Sequence, residues 1–293
     1  LPVFANISAS AAARFEPCLP SRCCRGLRYA ACACLGRPHH PVSGKGGSGK
    51  TTVSGTLCRA IADQGFDVLA IDDDENPNLA LTLGVGRETT VEPLPSNLLQ
   101  RVEAPGGEAT LELVMEPAEI ITRYGHDAPG GIQLLKMGEV DHAGSGCMCS
   151  AHSTARAVVS TMVESRDEVT VMDMVAGVEH LGRGTTQDVD ALLVVVEPYF
   201  KSLETGRRTK ELASELGIPE VKIVANKIRD DTDAAAVGEY CESNELQITT
   251  TVPFDDAIRH ADQSGTAPFD HDRSAPAVAA IDALAADLLA TYK

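Results

Sequence analysis

Residues Gly44–Thr52 read Gly-Lys-Gly-Gly-Ser-Gly-Lys-Thr-Thr, and no other stretch restricts the fold so tightly. Glycine, four residues, then Gly49-Lys50-Thr51 is the spacing of a phosphate-binding loop. Gly44, Gly46, Gly47 and Gly49 let the backbone N–H groups of the loop, those of Ser48 and Thr52 among them, curl around phosphate oxygens, and the helix that follows adds its positive end. Lys50 is expected to reach the β- and γ-phosphates, and the Thr51 hydroxyl to ligate magnesium. Such a loop needs a strand before it and a helix behind it.

The helix is easily read. From about Thr51 to Asp63 it carries Val53, Leu57 and Ile61 on one face, and Gly65 stops it. The strand is a problem, because the loop is preceded by Arg37-Pro38-His39-His40-Pro41-Val42. Proline gives no N–H to a ladder, so two prolines should forbid a central strand. The expectation is a strand of two or three residues, or a native one replaced upstream of Val42.

Further along, apolar runs of strand length at Val68–Ile71, Ile132–Met137, Val169–Met172, Ala191–Val196 and Val221–Ala225 alternate with helical patterns at Ser150–Glu164, Ser202–Leu216 and from Ala275 to Leu289. This alternation predicts an α/β fold of three layers, a mostly parallel sheet of five or more strands with helices on both faces. Residues 84–131, rich in Gly, Pro and Glu, read as an irregular or helical insertion. A chain of 293 residues has room for one large domain of this kind.

Charge narrows the partners. The net charge of -17 repels nucleic acid and anionic lipid unless a basic patch is concentrated locally, and none follows residue 45. No apolar run approaches the roughly 18 residues needed to cross a bilayer, so the expected location is the cytoplasm. Residues 1–40 differ from the rest: they carry five arginines, one acid and five of the nine cysteines (Cys18, Cys23, Cys24, Cys32, Cys34), without helical or strand period. Their Cys-Cys and Cys-Ala-Cys spacing matches no common zinc or iron–sulfur site. They are expected to be a disordered or non-native leader, with the domain spanning 41–293.

Lys45 gives the loop its second lysine. Lys-Gly-Gly-x-Gly-Lys-Thr resembles the deviant Walker A motif of the MinD/ParA class of P-loop ATPases, in which the early lysine reaches the partner's nucleotide across a dimer interface. The resemblance implies ATP with Mg2+ and an ATP-bound homodimer in which Lys45 and Lys50 both act on the phosphates. It also implies a first switch at Asp72-Asp73-Asp74, where Asp74 is expected to position the attacking water with Asp72 in support. Met172-Asp173-Met174-Val175-Ala176-Gly177 resembles the Walker B strand and second switch, with Asp173 near the magnesium and the Gly177 N–H turned to the γ-phosphate. Asn226-Lys227 resembles the base-reading pair of the class, and Pro253-Phe254 another wall of the adenine site.

The stretch Gly138–Cys149, ending Gly-Cys-Met-Cys, together with Val178–Thr185, resembles the CooC-type ATPases, which mature the nickel site of carbon monoxide dehydrogenase. The resemblance covers about residues 42–265. It implies a metal bound by a Cys-x-Cys at the dimer interface and a client metalloenzyme. Cys147 and Cys149 cannot close a metal site alone, but two copies supply four thiolates, a set that suits Zn2+ or planar Ni2+. His152 reads as an ordinary exposed histidine.

Other members of the class fit less well. An iron-protein reductase needs a cysteine at Met174-Val175-Ala176, a membrane positioner needs a basic amphipathic final helix, and a DNA partitioner needs a basic surface; the chain has none of these. The alternative to metal delivery is a nucleotide-gated binding switch with slow hydrolysis.

Overall fold

A computed structural model describes residues 39–74, 77–95, 97–103, 109–137, 168–174 and 189–290. The main sheet has eight strands among these residues, in the order β10-β9-β8-β1-β7-β2-β6-β5. They are β1 (His39–Gly44), β2 (Val68–Asp73), β5 (His126–Ala128), β6 (Ile132–Lys136), β7 (Val169–Met174), β8 (Leu192–Val196), β9 (Val221–Ile228) and β10 (Ile248–Pro253). All neighbours are parallel except β5, which runs antiparallel to β6 at the edge.

The pleat sorts the strand residues between two cores, as a sheet covered on both faces requires. Val68, Ala70, Val169, Val171, Leu193 and Val195 join one cluster, with Val53, Leu57 and Ile61 of α1 (Lys50–Asp63) and Ile281, Leu284 and Leu288 of a closing helix Pro276–Ala290. Leu69, Ile71, Met172, Met174, Leu192 and Val194 join the other, with Ile120 of α3 (Pro117–Tyr124) and Leu203 and Ala213 of α4 (Phe200–Leu216). Each fully buried aliphatic side chain contributes about 1.5–3 kcal/mol, so the alternation fixes the register of every central strand. The expected stop of α1 is present, Gly65 with a left-handed φ of 87°, and Gly217 ends α4 in the same way at 82°.

Two expectations need correction. β1 is longer than two or three residues: its six residues are all buried, and it lies between β7 and β8 at the centre of the sheet. Pro41 stands opposite Met172 of β7 and ahead of Val42, the first residue in register with β8. Its missing N–H therefore forgoes a single ladder bond, and the strand continues. The strand begins at His39. Finally, the segment 84–131 is more regular than expected: it holds an antiparallel hairpin of β3 (Leu99–Glu103) and β4 (Ala109–Leu113), then α3 and the edge strand β5.

Outside that segment, the described elements with no counterpart in the reading of the sequence include α5 (Asp231–Ser243), strand β10 and α6 (Asp256–Ser264). A short α2 (Leu79–Leu83) follows β2, and α7 (Pro268–His271) precedes the closing helix, α8. No described helix is long and apolar enough to cross a membrane.

Candidate functional site

Register brings the predicted groups together at the carboxyl ends of the central strands. Val42 of β1 pairs with Asp173 of β7, and Asp173 pairs with Asp72 of β2. Two residues beyond Val42 the chain enters the phosphate loop. Ligands of open parallel sheets bind at such an end.

The loop's glycines are used for their conformation and their size. Gly44, Gly47 and Gly49 have φ of 152°, 83° and 96°, values that L side chains rarely adopt. A Cβ on Gly44 would lie 2.4 Å from the Val195 carbonyl oxygen, and one on Gly49 would lie 2.3 Å from Asn226 Nδ2. The loop is closed by the Ser48 N–H donating to Lys45 O at 3.1 Å, and α1 starts with Val53 N–H to Gly49 O at 2.9 Å. Lys50 is buried, Thr51 and Thr52 are half-buried, and Lys45, Gly46 and Gly47 are exposed.

Asp173 is fully buried beneath the start of α1. The Thr51 hydroxyl donates to its carboxylate, and Ser54 Oγ lies 3.0 Å from its Oδ1 and 2.9 Å from Lys50 O. Burial pushes the Asp173 carboxyl up to about 6, against the hydrogen bonds from Thr51 and Ser54 and the Lys50 charge. Its Oδ2 has no hydrogen-bond partner among the described residues. A buried carboxylate with an open oxygen beside the Thr51 hydroxyl fits a hard divalent cation such as Mg2+, and these two residues would hold it.

Asp72 is also buried and accepts from the Leu79 N–H at 3.0 Å and the Asp74 N–H at 3.3 Å. Burial is the main reason its carboxyl is pushed up to about 7. Asp72 thus braces the turn after β2, while Asp74, half-buried at that turn, adds its charge to the field at Asp173.

Asn226 and Lys227 end β9 against the loop. Asn226 Nδ2 donates to Ser48 O at 2.7 Å, and its Oδ1 accepts from the Lys227 N–H at 2.9 Å. The amide therefore braces the loop and keeps one N–H and one lone pair for a base. Lys227 Nζ donates to Gly47 O at 2.6 Å and pairs with Glu197 at 2.9 Å. Beside them a cavity of about 300 Å³ is lined by Gly49, Thr52, Asn226, Lys227, Pro253 and Phe254, with apolar side chains of α6 and α8 at its floor. Arg229 lies 4.7 Å over the Phe254 ring and reaches Tyr199 Oη at 3.2 Å. The cavity lies beside the phosphate loop and has room for a flat base.

Every expected nucleotide residue in the described part thus gathers at one end of the sheet. Gly177, Cys147, Cys149 and His152 lie outside the described residues, as do residues 1–38. Sequence reasoning missed Ser54, Glu197 and Arg229. Ser54 was open to discovery, since it lies one helical turn after Lys50 on the same face.

Comparison with known proteins agrees with this geometry. Residues 41–269 match the family model described as the CobQ/CobB/MinD/ParA nucleotide binding domain. The chain is 38% identical over 235 residues to the carbon monoxide dehydrogenase accessory protein CooC of Rhodospirillum rubrum, covering 78% of this chain and 88% of that protein. It is 36% identical over 222 residues to an uncharacterized ATP-binding protein of Methanocaldococcus jannaschii, covering 74% and 85%. Among solved structures, the MinD cell division protein of Aquifex aeolicus superposes with a TM-score of 0.64 at 21% identity, over 86% of this chain and 97% of that one. MinD of Pyrococcus horikoshii complexed with Mg-ADP gives 0.63 at 19%, over 87% and 98%. The chain belongs to the CobQ/CobB/MinD/ParA nucleotide-binding family, as a P-loop ATPase of the CooC type.

Proposed function

We propose that this ATPase works as a homodimer that helps to load a soft metal, nickel in the first place, into a client metalloenzyme such as carbon monoxide dehydrogenase. The observation that supports the reading is the 38% identity to CooC over 235 residues, in a chain that carries Cys147-Met148-Cys149. On this reading residues 41–293 with the two residues before them form the working domain, and residues 1–38 take no part in nucleotide chemistry.

The division of labour follows from the residues. Lys50 and the loop N–H groups hold the phosphates of ATP, Thr51 and Asp173 hold Mg2+, and Asp74 orients the attacking water. Lys45, exposed at the loop's tip, reaches the nucleotide of the second subunit. Pro253, Phe254 and the free valences of Asn226 take the adenine. Cys147 and Cys149 of two subunits hold the cargo, because four thiolates complete a site that two cannot.

Size-exclusion chromatography with Ni2+ and Zn2+ titration tests the shared site. One metal per wild-type dimer, and none in the Cys147→Ser, Cys149→Ser double variant, is the expected result. One metal per monomer, or undiminished binding by the double variant, would refute it. Dimerisation driven by ATP with no metal taken up would instead favour the nucleotide-gated switch.

A further inference from the structure

Lys227 has a backbone φ of 60°, in a left-handed region that strains any residue bearing a side chain. Such strain persists where the surroundings impose it, and its effect here is visible. It accompanies a hydrogen bond from Lys227's own N–H to Asn226 Oδ1 and a side chain that returns over the phosphate loop to Gly47 O. Gly47 is exposed and itself at φ 83°, so the loop has little of its own to hold that carbonyl in place.

What keeps the ammonium there comes from a different strand. Glu197 follows β8, and its carboxylate meets Lys227 Nζ at 2.9 Å with only 14% of its side chain exposed. The Glu197 N–H donates to Ser202 Oγ at 3.0 Å, its carbonyl accepts from the Tyr199 N–H at 2.7 Å, and Ser202 is buried in the first turn of α4. The carboxylate is thus built on a fixed turn. It neutralises the lysine and steers it to a backbone carbonyl.

We propose that Glu197 is a positioning residue for the phosphate loop, acting through Lys227. Together with Asn226 on Ser48 O, the pair holds two consecutive carbonyls of the loop outward, which leaves the loop's N–H groups facing the anion. Preorganisation of this kind lowers the cost of binding phosphate. The role deepens the ATPase assignment, and ATP binding by the wild-type chain checks that assignment separately.

A double-variant cycle on the full chain tests it, with ATP and ADP affinity by calorimetry, steady-state kinetics and apo melting temperature as readouts. Glu197→Gln should weaken ATP and ADP by about three- to fivefold, raising KM with little change in kcat. Lys227→Met should weaken both nucleotides more, and Glu197→Gln should add nothing in that background. Independent, multiplying losses in the two variants would overturn the proposal, as would unchanged ATP affinity in Glu197→Gln. Should Glu197→Gln melt well below the wild type, Glu197→Asp decides: recovered ATP affinity supports the charge's role through Lys227, and affinity no better than that of Glu197→Gln refutes it.

Discussion

Replacing Gly49 by alanine tests how the loop is held. Gly49 sits at φ 96°, so alanine incurs about 1–2 kcal/mol of backbone strain. Its Cβ would also stand 2.3 Å from Asn226 Nδ2, which cannot remain while that nitrogen donates to Ser48 O at 2.7 Å. Moving the amide away leaves a buried carbonyl unpaired, worth about 1–3 kcal/mol. Gly49→Ala should therefore cost about 2–5 kcal/mol in urea unfolding, with loss of ATP affinity. Asn226→Ala alone should cost about 1–3 kcal/mol. In the double variant the clashing atom is gone and the Ser48 bond is already lost, so the combined cost should fall below the sum by the carbonyl cost counted twice, about 1–3 kcal/mol. Strict additivity, or a Gly49→Ala cost under about 0.5 kcal/mol, would refute the packing of Asn226 against the loop.

Lys50→Ala should abolish ATP binding in calorimetry, whereas Lys45→Ala should keep most of it and lose ATP-induced dimerisation and turnover; equal loss of binding in both would remove the case for a trans lysine. Asp173→Asn should fold and bind ATP without Mg2+ nearly as the wild type does, but lose the gain that Mg2+ gives. Because the Asp173 carboxyl is pushed up to about 6, protons compete with the cation, and in the wild type that gain should shrink as pH falls through 6. Burial lowers His40 from 6.5 to about 4, so it is neutral in the fold. The unfolded chain takes up its proton first, and the stability His40 allows at pH 7.5 is lost as pH falls from 6.5 toward 4. Relative to His40→Val, the wild type should lose about 2–3 kcal/mol between pH 7.5 and 4.5 in paired urea melts; parallel profiles would refute the burial argument.

What could be read from the sequence was chemistry that depends on residue type at fixed spacing. The loop, its helix and the strands β2, β6, β7, β8 and β9 fall in this group, because a glycine that must turn and a run that must be buried leave few alternatives. β10 was missed because Ile248-Thr249-Thr250-Thr251 has no apolar run: it is an edge strand with little to bury. α5 was missed because only Val237 and Cys241 are buried, although Asp230 caps it, accepting from Thr232 N–H and Asp233 N–H at 2.9 and 3.0 Å. The braces of the loop were out of reach for another reason. Asn226 meets Ser48 across 178 positions and Glu197 meets Lys227 across 30, and no local pattern records such contacts. Asn226-Lys227 was therefore located from the sequence but credited only with reading the base.

β1 shows what the site requires of its strand. The residues that align the loop are Val42, Ser43 and Gly44, and these three are in register with β8. The first half of the strand pairs with β7 alone and carries the residues that strand propensity disfavours. There the chain substitutes other bonds: the His39 N–H donates to Asp190 Oδ2 at 2.8 Å, and the Asp190 N–H donates to His39 O at 3.3 Å. A missing Pro41 N–H forgoes about 0.5–1.5 kcal/mol, less than the burial of Val42 alone contributes at about 1.5–3 kcal/mol. The proline rule failed here because it weighs a ladder bond without the hydrophobic layers on either side. The same bonds place His39 and His40 inside the folded unit, so a fragment that begins at Pro41 would lose both halves of the exchange with Asp190 and leave the sheet's central strand anchored by four residues.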